Sequence, residues 1–385
     1  MNFFSKITLI ISIIFAPNLF SMECKRVNLS FVKRWKPAHK DLPTWTQRDS
    51  NTCYAHSAIQ MFDFWRYQNE PRIFSFAMSD PIYGAILGRR YFYEHMKQNH
   101  PRPQTTLGFG WGEQVLNGIR KYGMCQSYVI QKSMDNFSKI TGINSLDFNL
   151  VTQSLFEDYD GAKSVRRAKL KSWVKWTKLH GGRFHRLYKK HKGKKVFKDI
   201  ACDKSYKFYN ECRKFEKVYD LIVPYLRNND YLGFMKMVFK DCMKKENTYL
   251  SSYKLPEYYW QDSSRDWKRT AKKISSVLEQ RNALPMGINY CSNILEQKGY
   301  QGLTFRKGKT YVPHFRTDCD RHVSIVIGQR TRNGRCQFLV RDSHGSQCDF
   351  YDKGWDCKTP KYNSGWGIWI DAEALANNTY GLFWL

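Results

Sequence analysis

Acidic residues are scarce in this chain: 34 Asp and Glu stand against 63 Lys and Arg, a formal net charge of +29. That imbalance predicts attraction to polyanions such as anionic envelope polymers, nucleic acid or acidic membrane surfaces, and it says nothing of fold. No C-x-x-C pair occurs, which argues against a zinc ribbon or a thioredoxin-type motif. Beyond the N-terminus, no segment approaches the roughly 18 consecutive apolar residues of a membrane span. No internal repeat is apparent, and residues 163–198 contain no Asp or Glu at all.

What is present begins with MNFFSKITLIISIIFAPNLFSMEC. Lys6, an apolar core from Ile7 to Phe15, and small and polar residues near Ser21 have the layout of a secretory signal. Pro17 and Asn18 interrupt the apolar stretch, which leaves it short for a membrane anchor. Roughly 360 residues follow, enough for one large domain with an insertion or for two domains, and 16 % aromatic content is ample for a core. The chain has 11 cysteines. In an exported protein most should pair, and an odd count leaves a candidate reactive thiol.

Cys53 is that candidate. It opens CYAHSAIQMFDFWRY, in which Ala55, Ala58, Ile59, Phe62 and Trp65 fall on one helical face. The preceding loop runs from Lys36 to Thr52, so Cys53 lies in the first turn of the expected helix. A nucleophilic thiolate needs partial positive charge near the sulfur, which a helix N-terminus supplies. It also needs an imidazole and donors for an oxyanion. Gln47 offers a side-chain amide six residues upstream.

His322 is the favoured base, because it opens the apolar run HVSIVIG instead of lying in a charged stretch. His56 is a rival, but on the same helix it faces along the axis. The following run, RCQFLVR, ends at Asp342, and Asn333-Gly334 between the two runs is a hairpin signal. A strict two-residue turn puts His322 and Asp342 on opposite faces. A three-residue loop, Arg332-Asn333-Gly334 with Gly334 left-handed, sets His322, Ser324 and Asp342 on one face. His322 and Asp342 are then diagonal neighbours roughly 6–8 Å apart at Cα. The three-residue loop is therefore expected.

GFGWGEQVLNGIRKYGMC reads as a glycine-rich loop, a short helix with Val115, Ile119 and Tyr122, and a turn at Gly123. Residues 163–198 carry fifteen Lys and Arg interleaved with Trp173, Trp176, Phe184, Tyr188 and Phe197. They read as a solvated basic surface or as a stacking platform for a polyanion or glycan. Residues 199–280 are expected to be helical. The runs at 322–328, 335–341, 366–371 and 380–385 read as strands.

Gln47 before Cys53-Tyr54-Ala55, H-V-x-I-V-x-G at His322 and D-S-x-G at Asp342 resemble the papain-like cysteine peptidases. The loop near Gly110 and Gly112 is similar to that family's substrate-binding loop, and Arg281–Ile288 is similar to the strand that opens its β domain. The resemblance covers 45–130 and 280–385 and not roughly 150–265. It implies an α+β fold with an N-terminal helical lobe and a C-terminal antiparallel β-barrel-like lobe. It also implies Cys53 as nucleophile, His322 as base, Asp342 as the histidine-orienting group, Gln47 as oxyanion donor, and Gly110 and Gly112 presenting backbone to an extended peptide. Asn51-Thr52 stand where the family has Gly and a disulfide cysteine, Asp342 where it has Asn, and His344 where it has Trp. The family's long inhibitory prosegment is missing, since about twenty residues separate the signal from Pro43.

The expected organisation is a signal peptide over 1–21, a short segment over 22–44 and a helical lobe over 45–150. A basic helical insertion over 151–265 and a β lobe over 266–385 complete it. The expected activity is peptide-bond hydrolysis through an acyl-enzyme on Cys53, with no metal or cofactor, in a secreted or periplasmic monomer without a membrane span after signal removal. Alternatives are a cell-wall peptide amidase or transpeptidase using the same residues, and a catalytically silent protein that binds polyanions through 163–198.

Overall fold

The computed structural model describes residues 22, 24–29, 52–69, 79–96, 110–142, 230–249, 255–264, 266–280, 284–295, 321–343, 355–358 and 367–385, with isolated residues between 210 and 228 and at 348 and 351. Its elements are helices and an antiparallel sheet, an α+β protein of two compact units. One unit holds the described residues within 1–43, 260–342 and 346–384, and the other holds those within 44–259 together with Ser343 and Leu385. The signal segment, the basic run 163–198 and the loop bearing Gln47 lie outside the described residues.

The sheet unit contains β1 (Val27–Asn28), β4 (Tyr259–Asp262), β5 (Met286–Cys291), β6 (Arg321–Arg332), β7 (Arg335–Arg341), β8 (Asp356–Lys358), β9 (Gly367–Asp371) and β10 (Thr379–Trp384). Their order is β4-β10-β5-β6-β7-β9-β8, with β1 added to β6. All four apolar runs become strands, and β5, β6, β7 and β9 are buried almost throughout. Helix α6 (Trp267–Leu278) lies against β5 and β6 and against α7 (Ala372–Asn378). The face of α6 bearing Thr270, Ala271, Ile274, Val277 and Leu278 is buried, at the three- and four-residue spacing of an amphipathic helix. Asp266 caps it by accepting from the Lys268 backbone N–H at 3.0 Å.

In the helical unit, α1 (Cys53–Asn69), α2 (Pro81–Tyr91) and α3 (Gly112–Tyr122) pack together. Residues 52–66 are buried all round, so α1 is a central helix, buried beyond the face that carries Ala55, Ala58, Ile59, Phe62 and Trp65. Its buried Asp63 is met internally: it accepts from the Ser79 backbone N–H at 3.0 Å and from Ser79 Oγ at 2.6 Å, with Arg66 4.0 Å away. Helices α2 and α3 approach closely at Gly118, where a Cβ would lie 2.5 Å from the Leu87 carbonyl oxygen. Beyond Gly123 lie β2 (Met124–Cys125) and α4 (Ser127–Thr141), followed later by α5 (Tyr231–Val238) and β3 (Thr248–Tyr249), which pairs with β2. The stretch 199–280 is thus not wholly helical, since β3 and β4 lie within it.

Cys24–Cys336, Cys125–Cys242 and Cys348–Cys357 are disulfides, and Cys291 is also disulfide-bonded. These fit an oxidising compartment. Among the described residues Cys53 is the free thiol. No described helix is long and apolar enough to cross a membrane.

Candidate active site

Cys53 is the first residue of α1 and is buried. The Thr52 carbonyl before it takes the backbone N–H of Ala55 at 3.0 Å and of His56 at 3.1 Å, the opening turn of the helix. The same carbonyl accepts from His56 Nδ1 at 2.9 Å, which fixes that ring against its own helix start. Next to the thiol, Tyr54 meets the glycine-rich stretch: a Cβ at Gly110 would sit 2.2 Å from the Tyr54 ring. The chain therefore passes backbone-close there, and any side chain at 110 would have to displace the ring. Gly112 begins α3 and is buried. Gln47 lies outside the described residues.

Glu113 follows Gly112 in the first turn of α3. Its Oε2 is shielded from solvent without a hydrogen-bond partner, and burial pushes its carboxyl up to about 7.

The histidine side of the candidate site is built on the β6–β7 hairpin. The expected three-residue loop does not form. Arg332 pairs with Arg335 across a two-residue turn, with Asn333 at φ 51° and Gly334 at φ 72°, both left-handed as an Asn-Gly turn of this kind requires. Continued without interruption, that ladder would set Ile325 opposite Asp342 and put His322 and Asp342 on opposite faces. The ladder is interrupted: it steps from Gly328–Leu339 to Val326–Val340, taking up Ile327 as a bulge. Ile325 then pairs with Arg341, and one further step sets Ser324 opposite Asp342 with His322 diagonal to it. The extra residue that the expectation placed in the turn is absorbed instead in mid-strand.

The bulge has outside support. β1 pairs with β6 at Val27–Gln329 and Asn28–Gly328, and the Leu29 backbone N–H donates to the Ile327 carbonyl at 2.8 Å. A Cβ at Gly328 would lie 2.7 Å from the Val27 carbonyl oxygen, so this approach of β1 needs the glycine.

In this register His322 Nε2 lies 2.5 Å from Asp342 Oδ1, with both side chains buried. An ionised carboxylate is acceptor-only, so the proton of this hydrogen bond sits on Nε2. Ser324 Oγ donates to Asp342 Oδ1 at 2.9 Å, and the Tyr351 hydroxyl donates to Oδ2 at 3.0 Å. Tyr290, paired with His322 across β5 and β6, places its hydroxyl 3.0 Å from Ser324 Oγ and its ring edge-on to the imidazole. Ser324 spends its one proton on Asp342, so Tyr290 is the donor to Ser324. Burial and the Asp342 charge push the Tyr351 phenol upward, so it stays a neutral donor.

Tyr290 and Tyr351 are the members of this cluster that sequence reading missed. Tyr290 is opposite His322 through a strand pairing that no local pattern announces. Tyr351 stands in the stretch CDFYDKGW, whose sequence carries no periodic pattern. His344 lies outside the described residues. Among the described residues no group of three or more His, Cys, Asp or Glu is placed to hold a metal.

No protein-family model matches this chain, and no curated protein matches it. Among solved structures it is similar to PepW from Lactobacillus rhamnosis HN001, determined as the selenomethionine derivative. The TM-score is 0.41 with 11% sequence identity, over 99% of this chain and 88% of that one.

Proposed function

We propose that this chain is an exported thiol peptidase of papain-like type, with a helical lobe carrying the nucleophile and a β lobe carrying the acid–base pair. The observation that carries the reading is the buried His322–Asp342 hydrogen bond. A carboxylate that fixes one imidazole nitrogen orients the ring and supports its protonated form, as a general base in a thiol hydrolase needs. The free Cys53 thiol at the start of α1 supplies the nucleophile.

In this reading His322 takes the thiol proton at Nδ1, since Nε2 serves Asp342. The thiolate attacks the scissile carbonyl carbon, and the negative charge passes to its oxygen, where the Cys53 backbone N–H and the Gln47 amide donate. Collapse breaks the C–N bond, and His322 returns the proton to the leaving amine. Water, losing a proton to His322, then splits the thioester. Gly110 and Gly112 present backbone to the extended substrate.

Cys53→Ala is expected to abolish casein hydrolysis and labelling by an epoxide or iodoacetamide probe, with far-UV circular dichroism unchanged. Persisting hydrolysis sinks the assignment. The net charge of +29 favours a second reading, cleavage of peptides attached to anionic wall polymers. Release of wall fragments without casein cleavage would select it.

A further inference from the structure

A buried carboxylate needs its lone pairs satisfied to stay ionised, and Asp342 is fully buried. One Asp342 oxygen takes His322 and Ser324, and the other takes Tyr351. Hydrogen bonds to the charged form favour it over the protonated acid. They also fix the plane of the carboxylate, and with it the direction in which Oδ1 meets the imidazole.

The segment carrying Tyr351 is itself tied at several points. Cys348 and Cys357 close it with a disulfide, and the Tyr351 backbone N–H donates to the Cys348 carbonyl at 3.1 Å. Trp355 Nε1 donates to the Ile294 carbonyl at 2.7 Å. Asp356 accepts from Arg330 at 2.7 Å and from Arg332 at 2.8 Å, and it pairs with Trp369 in the β8–β9 ladder. The phenol is therefore held by its own segment as well as by Asp342.

We propose that Tyr351 is a positioning residue, seated by the disulfide-closed segment Cys348–Cys357, that keeps Asp342 ionised and aimed at His322 Nε2. The use made of this pair rests on the peptidase reading; the positioning does not. Tyr351 acts through its hydrogen bond to Asp342.

The test is Tyr351→Phe in the full mature chain, which keeps the ring and removes the hydroxyl. Casein hydrolysis is expected to show kcat down about tenfold, a fraction of what an acid–base pair contributes, with KM within about twofold. Losing a donor to the carboxylate raises its proton affinity, so the acid limb of kcat/KM moves up by about one pH unit. By NMR, the downfield Nε2 proton of His322 is expected to exchange with solvent at least about tenfold faster. Cys348→Ser/Cys357→Ser, which keeps the phenol and frees its segment, is expected to move the acid limb and the proton exchange the same way. An unchanged acid limb and unchanged proton exchange in Tyr351→Phe overturn the proposal. Failure of the peptidase reading looks different: Cys53→Ala retains hydrolysis, or the wild-type chain has none, while the His322 proton still responds to Tyr351→Phe.

Discussion

Glu113 shows how one side chain can oppose its own local preference. An acidic residue in the first turn of a helix is favoured by the helix dipole, by about 0.3–1 kcal/mol. Here desolvation wins, because the side chain is mostly buried and Oε2 has no donor. Its carboxyl titrates at about 7 against an ordinary 4.5, so the native state holds the proton more tightly than the unfolded chain does. The stability this contributes is complete below the unfolded value and is lost as pH rises through the folded one. Glu113→Gln removes the titration. It should raise the melting temperature relative to wild type at pH 8 and leave it nearly equal at pH 4. The difference is up to about 3 kcal/mol, and thermal melts at the two pH values check it.

At the scale of elements, β6 depends on two glycines for different reasons. Gly334 lies in the left-handed region and a Cβ there meets nothing within 4 Å, so substitution costs backbone strain alone. Gly328 has no such conformation, but a Cβ there collides with the backbone of β1. Gly334→Ala is therefore expected to cost about 1 kcal/mol and to leave β1 in place. Gly328→Ala is expected to cost roughly 1–3 kcal/mol and to speed exchange of the Leu29 amide, whose acceptor is the bulge carbonyl of Ile327. Amide exchange on both variants separates the two; equal Leu29 protection would refute the role given to Gly328.

At the scale of the whole molecule, disulfides tie distant parts of the chain together within each unit. Cys24 joins Cys336 across 312 residues, and Cys125 joins Cys242 across 117. Cross-links over such loops remove much freedom from the unfolded chain. Cys125→Ala/Cys242→Ala is expected to lower unfolding stability by about 2–5 kcal/mol, measured by denaturant unfolding under non-reducing conditions. The β2–β3 pair, whose Cys125 carries the disulfide, pairs Met124–Tyr249 and Cys125–Thr248 and should fray first by hydrogen exchange. The same long-range wiring places β1, from near the N-terminus, on a strand some 300 residues later.

The sequence by itself determined what short-range physics governs. The apolar runs became strands, Asn333-Gly334 became the hairpin turn, Cys53 opened a helix, and Gly123 ended another with a positive φ. Even the meeting of His322, Ser324 and Asp342 on one face was legible, because a buried face admits one register. The device that achieves it was not. Sequence reading placed the spare residue in the turn, whereas the Asn-Gly pair favours a tight turn strongly enough to push that residue to Ile327, where β1 accepts it. Only the tertiary structure decided that Tyr290 backs Ser324, that Tyr351 grips Asp342, and that Glu113 loses its water. Strand pairing and desolvation join residues tens to hundreds of positions apart, and periodicity in a short window carries no record of them.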